Sequence, residues 1–440
     1  MKLLAKPIFR QSNSVFKYIG AALLIFTPLY PKFPLFFLPS STVAIRVEDF
    51  LIALGVLLLV FSFLKNRSLK LPPTTFQIVT LWSVGLLSTI SAILITKNII
   101  PLLSVLHFFR RVEYISLFFI FYYLGSLSQS NRTFFLKLIL LPVVGVFLYG
   151  LFQIYFRAPV ISTMNVEFSK GVALTLQPGV QLSSTFSGHY DLAIYLSFIV
   201  SFLMAILSLS KEKYVKGVML LLSLPVIWLF AKAGSRMGLL GLISSVLVIT
   251  VAKKKFFMGF IMLFLIGLGV LSSPHLIGRF QNIWKILPLS QETHRISLST
   301  YAQEQKEEQD LRPIQQDRST SIRFDVEWPR AVRSFYKNPL LGTGYSSLGL
   351  ATDNDYLRAL GETGLLGLVS FLSLLVALGR SLIKVFKKAV SQTDKILTTS
   401  ALGVFVSMIL VALFIDTFEA SKIAILFWSI SGLALSVNKK

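Results

Sequence analysis

The stretch RMGLLGLISSVLVITVAKKKFFMGFIMLFLIGLGVLSS, Arg236 to Ser273, decides the fold. Two almost uninterrupted apolar runs flank a single basic knot, Lys253 to Lys255. A helix rises about 1.5 Å per residue, so each run is just long enough to cross the roughly 30 Å of hydrocarbon in a bilayer. Neither run shows the polar stripe that a surface helix of a soluble domain needs. The lysines belong in water on the cytoplasmic side, where basic residues accumulate. The unit is a pair of membrane spans joined by a cytoplasmic turn.

The rest of the chain repeats this pattern. Hydrophobic residues make up 54% and charged residues 14%, far from the mixture that covers a soluble globule. A net charge of +23 would suggest nucleic acid as a partner of a soluble protein. Its placement argues against that, because the basic residues sit in short clusters between apolar runs: Lys65, Arg67 and Lys70; Lys211, Lys213 and Lys216; Lys384, Lys387 and Lys388; Lys439 and Lys440. The chain has no cysteine, which excludes disulfides and thiolate metal sites. Lys2, Lys6, Arg10 and Lys17 precede an apolar run longer than a signal-peptide core, with Pro34, Leu35 and Phe36 where small cleavage-site residues would stand. That run reads as an uncleaved first span.

Apolar runs of membrane-crossing length fall at 17–37, 43–64, 75–96, 103–127, 133–156, 189–209, 216–233, 236–252, 256–273, 362–383, 396–416 and 420–438. The expected fold is therefore an all-α polytopic membrane protein with about twelve transmembrane helices. Nine lie in residues 1–273 and three in 362–440, with both termini cytoplasmic. The short pair around Gly234 and Ser235 reads equally as one re-entrant hairpin. Two external segments remain, a smaller loop at 157–188 and a large one at 274–361. A loop that long carries function as a rule. Within it, Phe324, Trp328, Val332 and Phe335 or Tyr336 recur at helical spacing, and Pro329 suits a first helical turn. An amphipathic helix on the membrane or on the bundle is expected there. A second helix is expected to start near Thr352, with Thr352 and Asp355 spaced as a capping box.

Polar groups at the external span ends are the candidates for chemistry, because charge in hydrocarbon is costly. Arg46, Glu48 and Asp49, with Arg110, Arg111 and Glu113, read first as helix-to-helix ion pairs. His189 and Asp191 open the sixth span, and the histidine reads as an interfacial residue or as a binding group. Arg236 stands at an external tip, against the usual charge bias, which points to a role. Arg318, Arg323, Arg330 and Arg333 together read as an anion site.

The segment NPLLGTGYSSLGLATDNDYLRALGETG, Asn338 to Gly364, adds a family resemblance. Pro339, Gly342, Gly344, the Asp353-Asn354 pair, Tyr356-Leu357 and Glu362 with Gly364 resemble the signature of the O-antigen ligase and O-antigen polymerase family. Ser321-Ile322-Arg323 and Gly234-Ser235-Arg236 are similar to two arginine motifs of that family. The resemblance implies metal-independent, inverting transfer of a glycan from an undecaprenyl-diphosphate carrier to an acceptor hydroxyl at the external face of a bacterial plasma membrane, with no cofactor. It casts Arg236 and Arg323 as diphosphate ligands and Asp353 as the group that orients or deprotonates the acceptor, with Asn354, Tyr356, Glu362, Arg318, Arg330 and His189 as substrate contacts. Partners implied are the lipid-linked donor, a glycan or lipid acceptor, the bilayer and a chain-length regulator. Ligases of lipid A core usually have histidine at the Asp353 position, so aspartate inclines the reading to a polymerase, with a ligase as the alternative.

Three other readings compete. Asp353 and Asp355 form an Asp-x-Asp triplet of the kind that holds a divalent metal. Asp353 also suits the first turn of a helix, where its carboxylate would accept free backbone amides. A dozen spans with internal charges is a transporter profile too. The lysine placement makes its own prediction: single cysteines at Ser299 and Asn438 are expected to be labelled from opposite faces of sealed vesicles. Labelling of position 299 from the cytoplasmic side alone overturns this topology.

Overall fold

The computed structural model of the protein describes residues 5–31, 33–37, 44–65, 71–97, 99–160, 174–176, 181–274, 276–278, 322–349 and 351–438. The helices of the first half are α1 (Ala5–Leu29), α2 (Val47–Lys65), α3 (Thr75–Ser91), α4 (Pro101–Leu127), α5 (Gln129–Leu140) and α6 (Pro142–Tyr155). There follow α7 (His189–Leu209), α8 (Lys213–Ala233), α9 (Arg236–Lys253), α10 (Phe256–Leu271), α11 (Trp328–Lys337), α12 (Asp355–Lys388), α13 (Gln392–Val411) and α14 (Ser421–Leu435). Two short antiparallel ribbons, β1 (Phe36–Phe37) with β2 (Ala44–Ile45) and β3 (Pro159–Val160) with β4 (Leu174–Thr175), are the described strands.

Among the described residues, eight helical segments are long and apolar enough to cross a membrane, by length and composition. They are α2, α3 with its π-helical end, α5 with α6, α7, α8, α9, α12 and α13. The apolar part of α1 (Ser14–Leu29), α10 and α14 are shorter. Helix α4 is long but carries Arg110, Arg111 and Glu113. The chain is thus a helical polytopic membrane protein, with helices at each of the expected positions and eight segments of membrane-crossing length and composition among the described residues. Helix α1 stops at Leu29 rather than 37, because Pro28, Pro31 and Pro34 break it and Phe36–Phe37 pair with Ala44–Ile45. The Gly234 pair resolves into two helices, α8 and α9, with Gly234 left-handed at the tip at φ +62°.

The core is built around α7. It is apolar on all sides and buried from Leu192 to Ser208, the profile of a central helix. Helices α8, α9 and α13 pack around it, while α14 packs on α4 and α12 on α3. Phe76, Leu221, Phe257 and Phe260 point outward, as expected of side chains whose solvent is lipid.

Helix α12 is interrupted. Gly364 adopts φ 68°, ψ −166°, a conformation essentially confined to glycine. The backbone groups released there are taken up by the Pro339–Gly344 turn: Leu365 N–H donates to Pro339 O at 2.8 Å, Gly344 N–H to Glu362 O at 2.8 Å and Thr343 N–H to Gly361 O at 3.1 Å. Irregular backbone inside a membrane protein survives only where such partners exist. Gly342, at φ +67°, makes the approach possible, since a Cβ there would lie 2.5 Å from the Glu362 carbonyl. Gly364→Ala is expected to lower the thermal midpoint in detergent by about 5 °C or more, whereas Gly267→Ala, with open space around its Cα, changes it little. Equal midpoints for the two variants would contradict the interlock.

Candidate functional site

The start of α12 sets the geometry. Asn354, not Thr352, caps the helix: its Oδ1 accepts the Tyr356 and Leu357 amides at 3.0 and 2.9 Å, and its Nδ2 donates to Leu413 O at 3.0 Å. The capping-box expectation is therefore corrected, because Asn354 reaches the free amides first. It also relieves Asp353 of the capping role. Asp353 sits at φ +50°, a left-handed conformation that a short Asp side chain tolerates. This turn is held from below by Asp416, whose carboxylate accepts Thr352 N–H at 2.7 Å and Asn354 N–H at 3.2 Å, and Arg358 at 2.9 Å. Burial alone would push Asp416 up, but Arg358 and the amide donors hold it below the ordinary carboxylate range.

Held this way, Asp353 meets Arg323. The guanidinium lies on a π-helical turn, Ile322–Glu327, that leads into α11, and Nε donates to Asp353 Oδ2 at 2.8 Å, with the second nitrogen at 2.7 Å. Arg323 is 4% exposed and Asp353 27%, so the carboxylate is the part of the pair that a substrate can reach. Burial raises Asp353 above its usual range, against the opposing pull of Arg323. Tyr190 completes the clamp, its ring 6.0 Å from the Arg323 guanidinium carbon. Glu327 is close by and is pushed up to about 6 by burial and by the carboxylates of Asp353 and Asp416.

One layer deeper, Arg111 of α4 donates to Glu362 Oε2 at 2.8 Å, pairs with Glu419 and stacks 4.0 Å over the Tyr345 ring. Glu362 also accepts the Ser346 amide at 3.1 Å and faces Arg358 at 3.4 Å. The expectation of mutual ion pairs holds for Arg110 with Asp49 and Glu113, and for Arg46 with Glu48 at 4.0 Å. Arg111 departs from it, turning away into the site.

The other candidates are placed as follows. Arg236 is buried at the first turn of α9, where the Ser235 hydroxyl accepts the Gly238 amide at 3.0 Å. His189 lies at the start of α7 with its ring 3.9 Å from that of Tyr190, so it is the neighbouring Tyr190 that touches Arg323. Arg330 donates to Leu348 O at 3.0 Å, and its charge, like that of Arg323, acts on Glu327. Arg318 lies outside the described residues. Tyr356 donates to Ile409 O at 2.7 Å and faces α13, a packing contact rather than an open subsite. The Asp-x-Asp residues diverge in their partners: Asp355 Oδ2 accepts the Thr417 amide and hydroxyl at 2.7 and 2.9 Å and the Phe418 amide at 3.2 Å, whereas Asp353 pairs with Arg323. In α11 the buried positions are Ala331 and Ser334, the stripe residues Trp328, Val332 and Phe335 are half-buried with Trp328 against Phe414, and Tyr336 stays exposed, as does Phe324 in the turn before the helix.

Sequence reading missed Asp416, Glu419, Arg358 and Tyr190. A carboxylate pair in the short link between two apolar runs was a visible signal for Asp416 and Glu419. Residues 224–372 match the family model described as Wzy_C, O-antigen ligase, in agreement with the resemblance read from Asn338–Gly364. The matched stretch includes Arg236, Arg323, Asp353 and Glu362. No curated protein matches the chain.

Proposed function

We propose that, as an O-antigen ligase-type protein, this chain joins a lipid-linked glycan to an acceptor hydroxyl at the outer face of the bacterial plasma membrane. The donor in this reading is a glycan on undecaprenyl diphosphate, and the product is a lengthened chain on the same kind of carrier. The Arg323–Asp353 pair, inside the family-matched region and at the mouth of α12, carries the reading. The acceptor O–H attacks the anomeric carbon on the face opposite the diphosphate, the C–O bond to the diphosphate breaks, and the configuration inverts. Asp353 orients the hydroxyl and takes its proton. Arg323 and Arg236 stabilise the charge that gathers on the departing diphosphate, a task suited to guanidinium forks. Asp353 and Arg323 already touch, so the diphosphate exchanges with the carboxylate for the guanidinium. That exchange frees Asp353 at the moment the donor binds.

The test is turnover of a lipid-linked oligosaccharide by purified protein in liposomes, with no ion gradient imposed. Longer glycans on the polyprenyl carrier support polymerisation. Transfer to a different acceptor supports the ligase reading, which the family description favours. Movement of the substrate across the membrane without a new glycosidic bond would replace both with a transporter.

A further inference from the structure

Beside the Asp353 turn, a cavity of about 70 Å³ opens between α3, α4, α12 and α14. Its walls are aromatic: Trp82, Tyr345, Phe371 and Trp428. Its polar groups are Arg111 and Arg358 with Asp355, Glu362 and Glu419. Two guanidinium groups against three carboxylates give the lining no excess of positive charge, so it is unsuited to a diphosphate. A purely apolar chain is equally ill matched, because it would cover these ion pairs without offering them any polar contact. Among the described residues of the lining, the buried Trp82 Nε1 has no hydrogen-bond partner. An unpartnered buried N–H is a standing cost unless something accepts from it.

Flat aromatic faces beside paired carboxylates and guanidinium forks suit a group with apolar C–H faces and hydroxyls at its edge. We infer that this cavity, which is half open, takes the inserted edge of one uncharged sugar residue, lying next to the transfer centre and receiving the acceptor end of the glycan. The inference rests on the glycan-transfer reading for the acceptor assignment, while the sugar class rests on the cavity itself. Position supports the assignment. Asp355 lines the cavity two residues after Asp353, and Arg358 joins the lining to Asp416, which fixes the Asp353 turn. Occupancy is thereby coupled to the group that handles the acceptor proton. A site built to hydrogen-bond hydroxyls discriminates strongly against analogues that lack them, by up to about 10⁴-fold.

The full chain in nanodiscs can be titrated with n-hexyl β-glycosides of glucose, galactose, mannose and N-acetylglucosamine, with n-hexanol and n-hexyl phosphate as comparison probes. Intrinsic tryptophan emission reads the cavity, since Trp82 and Trp428 lie in its wall. At least one glycoside is expected to give a saturable change that Glu419→Gln weakens about 10-fold and Trp82→Phe diminishes, with the hexanol response linear. Saturation by hexanol at the same concentration overturns the proposal in favour of an apolar groove, and saturation by hexyl phosphate alone in favour of an anion site. No saturation by any of the four glycosides leaves a water-filled cavity only. Because binding is read without turnover, glycoside binding in a chain that makes no glycosidic bond removes the transferase reading and keeps the sugar site. Transfer without glycoside binding removes the sugar site and keeps the transferase.

Discussion

Arg323→Ala is expected to reduce glycan transfer by at least about 100-fold, and Arg323→Lys to restore only part of it. In the proposed reaction the guanidinium offers the diphosphate two parallel donors, and a lysine keeps the charge but loses that fork. The alanine variant also leaves Asp353 without its ion-pair partner. Asp353 is only partly exposed, so this has a stability cost that must be separated from the catalytic one. Comparable yield, monodispersity and thermal midpoint in detergent establish that separation. Binding of the donor should weaken together with turnover, because the lost contact is made both before and during bond cleavage. Full activity in Arg323→Ala would move the anion site elsewhere, with Arg236 the first alternative.

The membrane class was legible because hydrocarbon imposes one rule on every span, and lysine placement repeats at each turn. The helix bounds were less so. Pro28, Pro31 and Pro34 end α1 early, yet the apolar run continues to 37 and hides the break. Likewise Gly364 looks like an ordinary glycine leading into a span. That it breaks α12 depends on the Pro339–Gly344 turn arriving to accept and supply the released hydrogen bonds. The site shows the same division. Arg323 and Asp353 were readable from their local motifs, whereas their meeting was not, since nothing between residues 323 and 353 fixes a distance. Asn354 displaced Asp353 from the capping role by one residue, a difference too fine for spacing rules. Arg111 and Glu362 are 251 positions apart. Arg110 and Arg111 are adjacent on α4, about 100° apart around the helix, so one pairs with α2 and the other faces α12. A sequence shows the two arginines as equals, and only packing assigns them different partners.

Asp353→Asn is expected to leave the protein folded and to lower transfer about 100-fold or more. Asparagine keeps the shape and tolerates the left-handed backbone that Asp353 adopts, so the turn over Asp416 should survive. Capping is not at stake, because Asn354 already supplies it. The loss therefore reports the missing negative charge. The parent protein provides a second test through pH. A carboxylate works as an acceptor only when ionised, and burial holds Asp353 above the usual value near 4. Activity should thus fall on acidification at a pH above that value and recover as pH rises through it. Arg323 pulls in the other direction, so its removal should shift the acid limb of any residual activity further toward neutral. Asp355→Asn is the companion measurement. Its carboxylate is bonded to the Thr417 and Phe418 amides, so its loss should cost stability rather than produce a shifted acid limb. The metal reading makes the opposite demand, since both carboxylates and the ion would be needed. If Asp353→Asn turns over at the parent rate while Asp355→Asn and added chelator each abolish transfer, Asp353 is not the proton acceptor and a divalent cation takes its place.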